Sequence, residues 1–190
     1  MQKILRMAYE NANLSTKEQK FMTFRLKCML YDTSKLILFV AFFAAVHRLD
    51  SFVYAFLIFF PIRQVSGGLH FKHYVSCLLF SFVYMYAAVI LLAPMKLALA
   101  VVIPILAVCA AVIYMIGPIL APTRPALTKQ EFAERRLKTF KIVCYEIVLT
   151  ILFFNSDLAS AGYWTIILHT MQLMIAWIIK NFKKGGEKNG

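Results

Sequence analysis

Apolar residues fall in long runs broken by short polar clusters, a pattern of buried helices rather than of alternating strands. At roughly 20 residues per crossing of the hydrocarbon, the chain from Cys28 onward predicts six transmembrane helices. They lie at about 29–47, 51–66, 74–93, 97–119, 141–155 and 158–179, the fifth being the shortest. The separators are residues 47–50, a segment containing Gly67 and Gly68, Pro94 with Met95 and Lys96, a long basic loop, and Asn155 with Ser156 and Asp157. Ahead of them, Ile4, Leu5 and Ala8, then Phe21, Phe24 and Leu26, are spaced to cover one side of helical segments. Lysines and arginines occupy the other side, which predicts amphipathic helices lying in the interface. Ser15 and Glu18 have the S-x-x-E spacing of a capping box, so a second short helix is expected to start there. This stretch lacks the uninterrupted apolar core of a cleavable signal. The expected fold is an all-α polytopic integral membrane protein. Interfacial helices occupy 1–27, and a single transmembrane domain spans 28–180. That domain contains a reactive segment at 63–77 and a basic loop at 121–141, and a basic tail follows at 181–190.

Composition narrows the class further. Of the 190 residues, 61% are apolar and 16% charged, and a soluble domain of this size cannot hide so much apolar surface, because small folds leave about a third of the unfolded chain's area exposed. The net charge of +12 does not indicate nucleic acid, since the basic residues are scattered between apolar runs and form no single face. Instead they sort by loop. Six lie in residues 1–27, two in 63–73, six in 124–141 and four after the sixth span, whereas the remaining loops hold only Arg48 and Lys96. Lysine and arginine are retained on the cytoplasmic side, so both termini and the 63–77 segment are expected there. Trp164 and Trp177 lie near opposite ends of the sixth span, where amphipathic rings favour the two interfaces. No internal repeat suggests an inverted-repeat transporter.

The segment from Arg63 to Cys77 carries the most chemistry. Two successive glycines each weaken a helix by about 1 kcal/mol relative to alanine, so Gly67 and Gly68 predict a turn or re-entrant loop. Irregular backbone at membrane depth is tolerated where it is buried in protein or lines a wet cavity. His70 and Cys77 have the residue types of a base and a thiol nucleophile. On an unbroken helix seven residues rise about 10.5 Å and the two side chains could not hydrogen-bond. A dyad therefore requires the third span to begin after His70, near Tyr74, with Cys77 in its first turn, where the helix dipole favours a thiolate. His73, four residues before Cys77, is the rival base by helical spacing. His70, His73 and Cys77 on one helical face are also a metal-site alternative. Cys28, Cys109 and Cys144 lie far apart, without a CxxC pair, and read as packing residues.

Arg63, Gly67, Gly68, His70 and Cys77, in the order R-x-x-x-G-G-x-H-x-x-x-x-x-x-C between two spans, resemble the accessory gene regulator B (AgrB) family of bacterial membrane cysteine peptidases. The likeness includes a length near 190, a basic amphipathic start, about six spans and a loop with Pro118 and Pro125 followed by a basic stretch. It implies that Cys77 is the nucleophile and His70 the acid/base. It also implies that the substrate is an AgrD-like quorum-sensing precursor peptide. The thiol would release the precursor's C-terminal tail as an acyl-enzyme forms, and a cysteine or serine of the precursor would then close a thiolactone or lactone. No metal or organic cofactor is expected. Partners are the precursor, membrane lipids and a second copy of the chain if it dimerises, and nucleic acid is not among them.

Other residues keep two readings. Arg63 would clamp a substrate carbonyl or carboxylate, or anchor the loop at the head groups. Lys129, Arg135 and Arg136 in the basic loop would attract an acidic precursor tail, or simply fix topology. Glu146 is an intramembrane acid, functional by default, or an interfacial one. Thr165, His169 and Gln172 recur at helical spacing and would line a polar cavity or bond a neighbouring helix. Pro104 and the Gly117 and Pro118 pair are expected to bend or end the fourth span. The rival class is a small transporter or exporter in which 63–77 acts as a gate.

Overall fold

In a computed structural model of the chain, the described residues are 16–69, 73–119, 127–156 and 158–186, with side chains described within 30–69, 73–119, 127–156 and 158–182. Among them are six α-helices: α1 (Thr16–Ala45), α2 (Leu49–Ser66), α3 (Tyr74–Tyr86), α4 (Leu99–Ile116), α5 (Lys129–Leu152) and α6 (Ala159–Gly186). A π-helical segment, Ala87–Leu92, continues α3. The fold class is all-α, as expected.

The chain divides into two units, Met1–Phe42 and Phe43–Gly190. In the first, α1 runs without interruption from Thr16, because no glycine or proline occurs between 16 and 45. One helix thus covers both the expected short second helix and the first span. Ser15 and the expected helix before it lie outside the described residues. Lys35 donates to Asp32 Oδ1 at 3.1 Å, an i,i+3 pair that compensates two charges within an apolar helix.

The second unit is a helical bundle in which α6 packs against α2, α4, α5 and the π-helical segment. Its core contains Ile58 and Ile62 of α2, Leu106 and Ile113 of α4, Val143 of α5, and Tyr163, Ile166 and Leu173 of α6. The opposite faces are also apolar, with Leu57, Val83, Val108 and Met115 all exposed, as an apolar solvent permits. Among the described residues, four helices are long and apolar enough to cross a membrane: Leu49–Ser66, Tyr74–Leu92, Leu99–Ile116 and Ala159–Phe182. They coincide with the second, third, fourth and sixth expected spans. Helix α5 covers most of the fifth but begins twelve residues earlier, and its first thirteen residues include Lys129, Glu131, Glu134, Arg135, Arg136, Lys138 and Lys141. α5 is therefore not among the four, nor is α1, whose side chains are described only from residue 30.

At one end of the bundle, Tyr163 Oη and Trp164 Nε1 both donate to the Met95 carbonyl at 3.1 Å, and Leu97 N donates to Tyr163 Oη at 2.9 Å. These bonds hold the turn between the π-helical segment and α4. At the other end α2 stops at Gly67 (φ 71°) and α4 at Gly117 (φ 70°), both in the left-handed region. The fourth span ends at Gly117 and Pro118 as expected, while the helix continues through Pro104. The two exits pair with each other. Ile119 N donates to Ser66 O at 2.8 Å and Gly68 N to Ile119 O at 3.3 Å, forming a parallel bridge between Gly67 and Ile119. A Cβ on Gly117 would lie 2.6 Å from Cζ of Phe132, so the first turns of α5 pack directly on this exit.

Candidate active site

Arg63, in the last turn of α2, folds its guanidinium over the chain that follows. Nη1 donates to the Gly67 carbonyl at 3.0 Å and Nη2 to the Leu69 carbonyl. Two donors in a rigid fork reach two carbonyls of one turn, a geometry an ammonium does not reproduce. Gly68 has φ 134°, and a Cβ there would collide with Nη1 of Arg63. The arginine and the second glycine are thus one device: the glycine leaves room for the guanidinium, and the guanidinium holds the turn. This places Arg63 as an anchor of the loop, through the protein's own backbone.

Beneath the turn lies a buried polar chain. Ser66 Oγ donates to the Ile62 carbonyl at 2.8 Å and stands 2.9 Å from His169 Nε2. His169 Nδ1 stands 2.8 Å from Gln172 Nε2. The amide nitrogen can only donate, so in this arrangement Nδ1 accepts and Nε2–H donates to the serine oxygen, whose own proton goes to Ile62. Ser66 and His169 are fully buried, and Gln172 is 4% exposed. Phe59 meets the imidazole edge-on at 6.0 Å, and Tyr84 Oη donates to the Thr165 carbonyl at 2.6 Å. The expected polar stripe of α6 is therefore used in helix packing.

Cys77 lies in the first turn of α3. His73 caps that helix with extended backbone (φ −104°, ψ 139°), and Cys77 N makes the first turn's bond to the His73 carbonyl at 3.2 Å. Cys77 is half-buried, while Val75 and Ser76 before it are exposed. His70 lies outside the described residues. The condition for a dyad, that the helix begin after residue 70, is met by the start at Tyr74. The same start removes His73 from the helix carrying Cys77, so the i,i+4 argument for it no longer holds. It also removes the single helical face required by the metal alternative. Among the described residues no group of three or more His, Cys, Asp or Glu can hold a metal.

Of the basic candidates, Lys129 is exposed and Arg135 half-buried, while Arg136 lies 4.6 Å over the Tyr114 ring, which itself meets Phe140 edge-on at 5.2 Å. Arg136 is thereby committed partly to packing. The start of α5 is fixed by a capping box that the sequence reading missed although its T-x-x-E form was visible. Glu131 N donates to Thr128 Oγ1 at 3.2 Å, and Thr128 N donates to Glu131 Oε2 at 2.8 Å. The backbone N–H and then the hydroxyl of Thr128, with Arg135 nearby, hold the Glu131 carboxyl below the usual carboxylate range. Glu146 is buried, and the Thr150 hydroxyl donates to its backbone carbonyl at 2.8 Å. Close by, a Cβ on Gly162 would lie 2.6 Å from Cε1 of Tyr54 and 3.2 Å from Oγ1 of Thr150, so α2, α5 and α6 meet closely there. The contact of Ser66 with His169 was not reached by sequence reasoning, because the two are 103 residues apart.

A family model described as Accessory gene regulator B matches residues 1–175. An AgrB-like protein of Clostridium beijerinckii is 32% identical over 74 residues, covering 39% of this chain and 37% of that relative. The match thus spans little more than a third of the relative's length. No solved structure matches.

Proposed function

The chain belongs to the accessory gene regulator B family, and from that premise we propose that it is a membrane-embedded cysteine endopeptidase that cleaves and cyclises an AgrD-like autoinducer precursor. His70 takes the proton of the Cys77 thiol, and the thiolate attacks the carbonyl of the precursor's scissile bond. The proton passes to the leaving amine, the C-terminal tail departs, and the remainder stays on Cys77 as a thioester. A cysteine or serine within the precursor attacks that thioester, expels the Cys77 thiolate and closes the ring. A site at the membrane surface holds the second nucleophile close and limits hydrolysis, so cyclisation wins. Lys129, Arg135 and Arg136 steer the acidic tail from the cytoplasmic side, where both termini lie.

The observation that carries this reading is the break between α2 and α3. The chain leaves α2 through Gly67 and Gly68 at positive φ and is clasped by Arg63, and the next described helix begins at Tyr74. No single helix runs through positions 67 to 77, as a His70–Cys77 pair requires, and the thiol stands at the positive end of a helix dipole. The test is chromatographic detection of released tail and cyclic product from precursor supplied to proteoliposomes. Wild type is expected to give both, Cys77→Ala neither, and His70→Ala a rate lower by about 10²–10⁴-fold, the span of general acid–base assistance. Product from Cys77→Ala at the wild-type rate would refute the nucleophile.

A further inference from the structure

Three helices of the bundle converge on one turn through buried polar contacts the reaction itself does not use. Gln172 and His169 lie one turn apart on α6, and Ser66 is the last residue of α2. The imidazole bridges them, with contacts of 2.8 Å to the Gln172 amide and 2.9 Å to the Ser66 hydroxyl. The serine carbonyl is in turn fixed by Ile119 N, on the segment leaving α4, at 2.8 Å. The chain is directional: amide to Nδ1, Nε2–H to hydroxyl, hydroxyl to the Ile62 carbonyl. With the amide in this orientation Gln172 Oε1 is buried without a partner, and turning the amide would reverse the chain, with Nδ1–H donating to Oε1 and the Ser66 hydroxyl to Nε2; in either direction a broken link in the low-dielectric interior leaves a further buried polar group unpaired. Among the described residues Arg63 is the charge that acts on His169, and its guanidinium clasps the carbonyls of Gly67 and Leu69, in the turn that follows Ser66.

We propose that His169 is a positioning residue: acting through Ser66, with Gln172 setting its tautomer, it fixes the direction in which the chain leaves α2 through Gly67 to Leu69, the residues that lead to His70. This deepens the peptidase reading and rests on it. His169 touches neither substrate nor thiol in this account. Its effect is on the approach of the base, and a displacement of order 1 Å in a reacting pair costs about 10²-fold in rate.

The test compares wild type, His169→Leu, His169→Gln, Ser66→Ala and His70→Ala in detergent and in liposomes. Glutamine at 169 places an amide donor where Nε2–H stands, whereas leucine cannot donate. Two quantities are read: the pH midpoint for alkylation of Cys77 by iodoacetamide without precursor, followed by peptide mass mapping, and the single-turnover rate of tail release with its half-saturating precursor concentration. In His169→Leu the midpoint is expected to rise to that of His70→Ala, with tail release slower by about 10–100-fold and half-saturation within about twofold of wild type. His169→Gln should keep the wild-type midpoint and a rate within about threefold, and Ser66→Ala should fall between. A His169→Leu protein with the wild-type midpoint and rate overturns the proposal, as does a His169→Gln protein as impaired as His169→Leu while equally monodisperse and thermally stable. A wild-type midpoint equal to that of His70→Ala, by contrast, overturns the dyad itself. The two failures are therefore distinguishable.

Discussion

Alanine at position 68 would put a methyl group where Nη1 of Arg63 lies and force φ 134° on a residue with a side chain. Backbone strain of this kind costs about 1–3 kcal/mol, and relief requires the guanidinium to leave the carbonyls of Gly67 and Leu69. Gly68→Ala is therefore expected to slow single-turnover tail release by about 10–100-fold while the bundle still folds. Arg63→Lys should be nearly as damaging, since one ammonium cannot span both carbonyls. A wild-type rate in either variant would contradict the clasp. At this scale the sequence was legible in part. Two glycines announced the turn, and Cys77 and the helix start were placed from the need to separate His70 from α3. Whether Arg63 grips substrate, lipid or its own loop could not be read from spacing, because the answer depends on how the chain folds back after leaving the helix. The pairing of Ser66 with His169 was beyond reach for the same reason.

Among the elements, α5 depends most visibly on a local signal. Its capping box holds the first turn, and Phe132 within that turn packs on Gly117 at the exit of α4. Replacing an N-cap threonine by alanine costs about 1 kcal/mol, so Thr128→Ala should raise amide hydrogen exchange at residues 129–132 by about fivefold. The box also has a pH dependence. The Glu131 carboxyl is held below its unfolded value, so its contribution is present above the ordinary carboxylate range and is lost as pH falls through the lower folded value. Protection of this turn should therefore stay level from neutral pH down to that range and decline below it, and Glu131→Gln should abolish the decline. An unchanged decline in Glu131→Gln would exclude the carboxylate as its origin. Helix limits elsewhere followed the sequence closely, because glycines at 67 and 117 stop α2 and α4. In α1 and α5 the charged segment and the apolar one form a single helix, since no residue between them breaks the backbone.

At the scale of the molecule, α4 connects two dissimilar ends. One is the turn at Met95, tied to Tyr163 and Trp164, and the other unites the exits of α2 and α4 with the start of α5. Membrane-impermeant thiol reagents should accordingly label Met95→Cys and Lys129→Cys from opposite faces of a sealed vesicle, with the unaltered protein as background. Labelling of both from one face would refute this arrangement. The apolar runs made the all-helical membrane architecture readable, and four of the expected spans stand in the bundle. What they could not convey is that α6 is its centre and that the end of α2 rests on a polar contact to that helix. The account as a whole stands or falls on the thioester at Cys77. The direct measurement is the intact mass of the protein in liposomes with authentic precursor, before and after hydroxylamine. The account predicts an adduct of the precursor without its tail on wild type, removed by hydroxylamine, absent from Cys77→Ala and diminished in His70→Ala. Tail release and ring formation with no adduct at Cys77 under single-turnover conditions, or an equal adduct on Cys77→Ala, would contradict it.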